Sequence, residues 1–466
     1  MTHGRLTRGA GTSILFLCLA LAALSPAARA QTLQQALAQA YNANPALLAA
    51  RAQLRAVDEA VPQALSGWRP SVTITGSYGA TDARSRTRMP GAEGQPFSTF
   101  RDTSIAPATG AVVLSQPLFQ GGRTTAATAQ AESQVLAQRA RLLATEQLTL
   151  LNAVQAYVDV VRGQEVLRLN DNNLRVLEQQ RIATERRLRA GEVTRTDSLQ
   201  AEARLALAIG SREAAAAALE SSRAAYQRFV GAPPGTLVAP QPLRPVAPTE
   251  RALREAAGTE GPAVAAALFD AAAARHAVRV QAAQLLPQLS LQAQVFRNDN
   301  SGLRGSRGTG QSAGVTLSVP IYQGGAEYAS VRQARELEQQ ALQLLDDQRR
   351  QAMQQGTDAW HAWQAAGAQA DAARRAIRAA EGALYGVQRE ALIGGRTTLD
   401  VLNAELELLN ARIAQVQAVA TLVTSSYALA ASVGRLTAAG LGLPVTPYDW
   451  TTHYHAVRNS WIGLGN

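Results

Sequence analysis

Few side chains in this chain are of types and at spacings that could do chemistry. His453 and His455, two apart, would share one face of a strand and could hold a metal ion. No cysteine–carboxylate cluster accompanies them to complete a ligand set, and packing within the C-terminal tail is the competing reading. His276 and His361 stand singly in helical stretches and read as surface residues. Gly305-Ser306-Arg307-Gly308-Thr309-Gly310 is glycine-rich, but it lacks the lysine of a phosphate-binding loop and no helix follows it. Trp360 and Trp363 fit packing, and Asp346-Asp347 falls mid-helix. No nucleophile stands beside a base in a supporting motif, so the chain is expected to be no enzyme and to need no cofactor or metal. Two polar clusters remain: Thr194-Arg195-Thr196-Asp197 after Gly191, and Arg396-Thr397-Thr398-Leu399-Asp400 after Gly394-Gly395. An aspartate just inside a helix start accepts from the free backbone N–H groups there, which is the plain reading of Asp197 and Asp400.

These two clusters belong to an internal repeat. Leu114-Ser115-Gln116-Pro117-Leu118-Phe119-Gln120-Gly121-Gly122 returns as Leu317-Ser318-Val319-Pro320-Ile321-Tyr322-Gln323-Gly324-Gly325, and the offset of 203 residues also relates Gly191 to Gly394. Pro45 and Pro262 are 217 apart, as are Val72 and Leu289. A duplication this long is an architectural feature of the whole fold.

The ends bound where the chain works. Arg5 and Arg8 precede an apolar run from Ile14 to Leu24, and Ala28-Arg29-Ala30 forms a small-x-small site before Gln31. Residues 1–30 therefore read as a secretory signal peptide. The single cysteine, Cys18, lies inside it, after residues too bulky for a lipoprotein box, so a mature chain from Gln31 without disulfide or lipid anchor is expected. No later run of about 18 apolar residues is evident, so no membrane-spanning helix is expected. The net charge of +10 is carried by arginine alone, with no lysine, and is scattered among Glu, Gln and Asp along helical stretches. That is a solvated helix surface and excludes a nucleic-acid partner.

Each copy then changes period in the same order. A helix-forming segment, interrupted by Asn44-Pro45 in the first copy, leads into alternating residues: Val72, Ile74 and Tyr78 against Thr73, Thr75 and Ser77, and likewise in Leu289 to Val295. Such alternation predicts strands with one apolar and one polar face. Return strands follow at Gly110 to Ser115 and Ala313 to Val319, across polar loops of residues 80–109 and 297–312. Past Pro117 and Pro320, 67 proline-free residues run from Arg123 to Arg189 and another 67 from Ala326 to Leu392. Helices of that length would span about 100 Å and need a coiled-coil partner. Returning helices follow each glycine turn. Leu399, Leu402, Leu406, Leu409, Ile413, Val416, Ala420 and Val423 give the second a heptad seam, while Leu199 to Phe229 is Ala-rich. The division expected is 1–30 signal peptide, 31–231 first repeat, 232–249 Pro-rich linker, 250–434 second repeat and 435–466 tail.

Four strands with a bare apolar face suggest lipid, and a bilayer admits strands only in closed barrels. Four cannot close, since single-chain barrels begin at about eight. Copies should therefore share a barrel in the outer-membrane lipid, above helices reaching into the periplasm. The order of elements, the two Pro-x-x-Gln-Gly-Gly junctions and the two glycine turns resemble the TolC family of outer-membrane efflux proteins over essentially the whole mature chain. The resemblance implies an α+β homotrimer with a twelve-stranded barrel and an α-helical tunnel, in the outer membrane of a Gram-negative cell. It also implies docking with a periplasmic membrane-fusion adaptor and an inner-membrane pump. Gly434 to Pro444 with Tyr448-Asp449 resembles the type I secretion branch, whose pump is an ABC transporter. Small-molecule drug efflux is the alternative, and a periplasmic coiled-coil structural or adaptor protein is the rival from another class.

The family closes its tunnel near the glycine turns. By resemblance, Thr196 and Asp197 match a constriction pair, Arg396 an arginine bonding across, for instance to Asp197, and Asp400 an aspartate of the pore ring. Asn403 stands where the family can carry a second aspartate, and Ala391 where a gate tyrosine can occur. Three symmetry-related Asp400 carboxylates would repel one another and attract cations.

Overall fold

The computed structural model describes residues 31–91, 95–302 and 304–463; the signal-peptide reading of residues 1–30 falls outside them. The chain runs through helices α1 (Leu33–Ala43), α2 (Pro45–Asp58) and α3 (Ala60–Leu65), then strands β1 (Ser71–Tyr78), β2 (Thr81–Met89), β3 (Phe97–Ile105) and β4 (Ala108–Gln120). Next come α4 (Arg123–Arg189), α5 (Arg195–Val230), α6 (Glu250–Glu260) and α7 (Pro262–Ala282). The second hairpin is β5 (Gln288–Asp299) and β6 (Arg307–Ser318), followed by α8 (Ala326–Leu392), α9 (Thr398–Ser432) and α10 (Trp450–Val457). The α+β class and both 67-residue helices stand where the sequence puts them.

The chain divides into two compact units. One takes the residues up to Ala46 with Glu146–Glu250 and Thr357–Pro447; the other takes Leu47–Thr145, Arg251–Gly356 and the chain from Tyr448 on.

The second unit holds an antiparallel sheet in the order β1-β4-β5-β6. Its register sets Val72, Leu114, Ala293 and Ala313 in one row and Ile74, Val112, Val295 and Gln311 in another. Because side chains alternate across a strand, the apolar sets of all four strands share one face. Nothing among the described residues of the unit covers it: Ile74 is 79% and Tyr78 82% exposed. Along β5 the apolar positions run from Leu289 to Val295, about 20 Å at strand rise, and give way to the ion pairs of Asp299 with Arg297 and Arg307. Asn300, at φ 54°, joins the hairpins: its Nδ2 donates to Ala106 O and its Oδ1 accepts from Gly305 N.

The expected polar loop at 80–109 is corrected. It contains β2 and β3, paired from Thr81 with Ile105 to Met89 with Phe97. Arg84, Arg86, Thr87 and Thr99 give the ribbon polar residues on both faces, so its alternation carries no hydropathy signal. The junctions also differ. β4 continues through Pro117, with a register shift between Pro117 and Phe119, whereas β6 stops at Ser318 before Pro320. Beyond Ser115, β4 has lost β1 and needs fewer N–H donors, which is where a sheet accepts proline. The first helical segment breaks at Asn44-Pro45 as expected and again after Asp58, giving three helices. Asn44 ends α1 and joins α5 through Nδ2 to Phe229 O at 3.0 Å.

The first unit is built of long helices packed pairwise. Ala370 and Ala373 of α8 meet Ala418 of α9, small residues that let the axes approach closely. The heptad seam of α9 holds at Leu402, Ala420 and Val423, but Leu406 is exposed and Leu408 buried in its stead. Packing against helices on more than one side draws the buried stripe off a strict heptad. The expectation that no helix is apolar enough to cross a membrane is also corrected: α9 passes by length and composition, with 33% of the apolar window buried in the fold. Its alanines count as apolar while serving close helix packing.

Candidate functional site

The two glycine turns are built alike. Glu192 N bonds Arg187 O and Gly191 N bonds Leu188 O, closing α4; Gly395 N bonds Glu390 O and Gly394 N bonds Ala391 O, closing α8. Gly191 (φ 78°) and Gly394 (φ 81°) take the left-handed conformation this ending requires, which a β-carbon would penalise. Thr194 and Thr397 then cap α5 and α9 with identical backbone angles, φ −83° and ψ 161°. The Asp197 carboxylate accepts from Thr194 N at 2.9 Å and from Thr194 Oγ1 at 2.7 Å. Asp400 does the same with Thr397 at 2.9 and 2.8 Å. Both aspartates are thus reciprocal caps. Thr196 lies exposed on the first turn, outside the cap.

Capping does not remove the charge. The Thr397 N–H, then its hydroxyl, then the nearby Arg396 hold the Asp400 carboxyl below the usual carboxylate range. Asp400 therefore remains an anion at neutral pH and a cap at once. Within one chain Arg396 does not reach Asp197; its Nε donates to Glu390 at 2.8 Å. Ala391 contributes its carbonyl O to the turn that closes α8, accepting from Gly394 N.

Asn403 is joined to a residue that sequence reasoning missed. Its Oδ1 accepts from Arg204 Nη2 at 2.8 Å, tying α9 to α5. Leu402 beside it packs with Leu177 of α4 and Ala208 of α5, with Leu174 and Leu205 at the margin. The only trace in the sequence is one arginine in an otherwise Ala/Leu run, Ala203 to Ala208. Arg204→Leu with Asn403→Ala in a double-mutant cycle should show a coupling of about 0.5–1 kcal/mol, the range of a partly solvated charged bond. Denaturant unfolding measures it, and strict additivity would dismiss the tie.

The strand spacing expected of His453 and His455 is corrected. His453 lies on α10, a helix rather than a strand, with Nδ1 3.1 Å from Asp58 Oδ2, and no group of three or more metal-ligating side chains occurs among the described residues.

A model of the outer membrane efflux protein family matches residues 32–232 and 253–435. The outer membrane efflux protein BepC of Brucella suis is 38% identical over 442 residues, covering 94% of this chain and 93% of that protein. The alkaline protease secretion protein AprF of Pseudomonas aeruginosa is 27% identical over 308 residues, 64% of this chain and 63% of that one. The Campylobacter jejuni CmeC outer membrane channel has the same fold, with TM-score 0.74 over 92% of this chain and 89% of that chain at 16% identity.

Proposed function

Because the chain belongs to the outer membrane efflux protein family, we propose that it is the outer-membrane duct of a tripartite export system, assembled as a homotrimer and serving type I protein secretion. Family membership places it in the outer membrane, reaching into the periplasm. It acts as a passive conduit rather than an enzyme. The observation that carries the assembly is the sheet: four strands, one bare apolar face, and edges β1 and β6 that pair with nothing among the described residues. Unpaired backbone groups are costly in hydrocarbon. Joining β6 of one copy to β1 of the next removes every edge, and three copies give twelve strands.

The secretion branch is supported by the tail motif Gly434 to Pro444 and by the likeness to AprF. The greater identity to BepC, named an efflux protein, favours a second reading, small-molecule efflux. An adaptor partner is supported by Leu392 and Ile393, 84% and 85% exposed at the α8 turn, where water-facing apolar residues gain by being covered. Cross-linking in cells followed by affinity purification tests the choice. Recovery of an ABC transporter with its adaptor supports secretion; recovery of a proton-driven pump alone overturns it in favour of efflux.

A further inference from the structure

The residue that the signal-peptide reading leaves at the start of the mature chain is Gln31. Chain ends ordinarily fray, yet each polar group of Gln31 has a partner. Its backbone N donates to Thr236 O at 2.7 Å, and its carbonyl O accepts from Val238 N at 3.2 Å. The Tyr157 hydroxyl lies 2.8 Å from that same carbonyl and 2.7 Å from Val238 O. The side-chain Oε1 accepts from the Tyr226 hydroxyl at 3.0 Å, and Nε2 donates to Gln39 Oε1 at 3.4 Å. Burial, and Tyr157 beside it, push the Tyr226 hydroxyl up to about 12, so it stays a donor.

An N-terminal glutamine has its own chemistry. The free α-amine attacks Cδ of its side chain, a C–N bond forms, the Cδ–Nε2 bond breaks, and the nitrogen leaves as ammonia. The product is the five-membered lactam pyroglutamate. Ring closure requires Cδ to fold back onto the amine, drawing Oε1 away from Tyr226, Nε2 from Gln39 and the amine from Thr236. The lactam also has no Nε2 to give Gln39.

We infer that Gln31 is a protected N-terminus: the fold holds its backbone against the Pro-rich linker and its side-chain amide against Tyr226 and Gln39, and thereby keeps the residue from closing to pyroglutamate. The test uses the full mature chain purified in detergent, with one half kept native and the other denatured at the same pH and temperature. Mass spectrometry of the N-terminal peptide reads the loss of one ammonia over time. Native protein is expected to keep Gln31 open while the denatured half cyclises about tenfold faster or more, since closure must first break three hydrogen bonds. Native Tyr226→Phe, which removes one hydroxyl from the hub, should cyclise faster than native wild type. Equal rates in the native and denatured halves overturn the inference. So does a native N-terminus that is already lactam, or one that starts at another residue.

Discussion

Replacing Asp58 by alanine is expected to destabilise the second unit by about 2 kcal/mol and to loosen α10, through loss of the bond to His453 and of a buried side chain's packing. The Asp58 side chain is 1% exposed, against His453 at 3.1 Å. Arg139 is close enough to act on its charge. The Arg139 guanidinium also lies 5.1 Å over the Tyr454 ring. Arg458 then joins Tyr454 Oη at 3.2 Å and Glu132 at 2.9 Å, and Tyr454 packs on Val61, Ala131 and Val135. Removing Asp58 takes the anion from the middle of this group.

The pH dependence has a defined sign. Burial, only partly offset by His453 and Arg139, raises the Asp58 carboxyl above its ordinary value of 3.8. The folded state then holds the proton more tightly than the unfolded one. Stability therefore falls as pH rises from that ordinary value through the raised one. Asp58→Asn, which cannot titrate, should lose this slope. Denaturant midpoints and amide exchange over residues 450–457 measure both effects; an unchanged α10 in Asp58→Ala would refute the clamp.

The second large effect concerns Asp400 and rests on the proposed trimeric pore. Asp400→Ala should weaken block by divalent cations in planar-bilayer recordings by about tenfold or more, as three carboxylates leave a narrow water-filled ring. It also removes the reciprocal cap on α9 and loosens the start of that helix. Asp400→Asn separates the two roles, because asparagine still accepts from the cap N–H groups but carries no charge. If Asn keeps the block, the carboxylate ring is wrong. Arg396→Ala removes the pair with Glu390 and any bond between copies. Higher resting conductance is the expected result, and no change would limit Arg396 to bracing its own turn.

Much of this molecule was legible in the sequence because it is local. The 67-residue helices, the Gly191 and Gly394 turns and the Thr-x-x-Asp caps depend on residues three to five apart, and strand alternation depends on residues two apart. The duplication makes each such signal count twice. The β2–β3 ribbon was hidden because both its faces are polar, so nothing distinguishes its alternation from a loop's.

The links that join elements lay beyond that reach. Arg204 meets Asn403 across 199 residues, and Asp58 meets His453 across 395. Gln31 meets the linker more than 200 residues away. An unpaired arginine, a histidine two from another, and a terminal glutamine have many partners open to them in sequence. Sequence alone determined the repeat, the lengths of the two long helices and the capping aspartates, since short-range geometry admits few solutions. The tertiary structure decided which buried polar group answers which, because only the packed backbone sets the distances on which charge and hydrogen-bond energies depend.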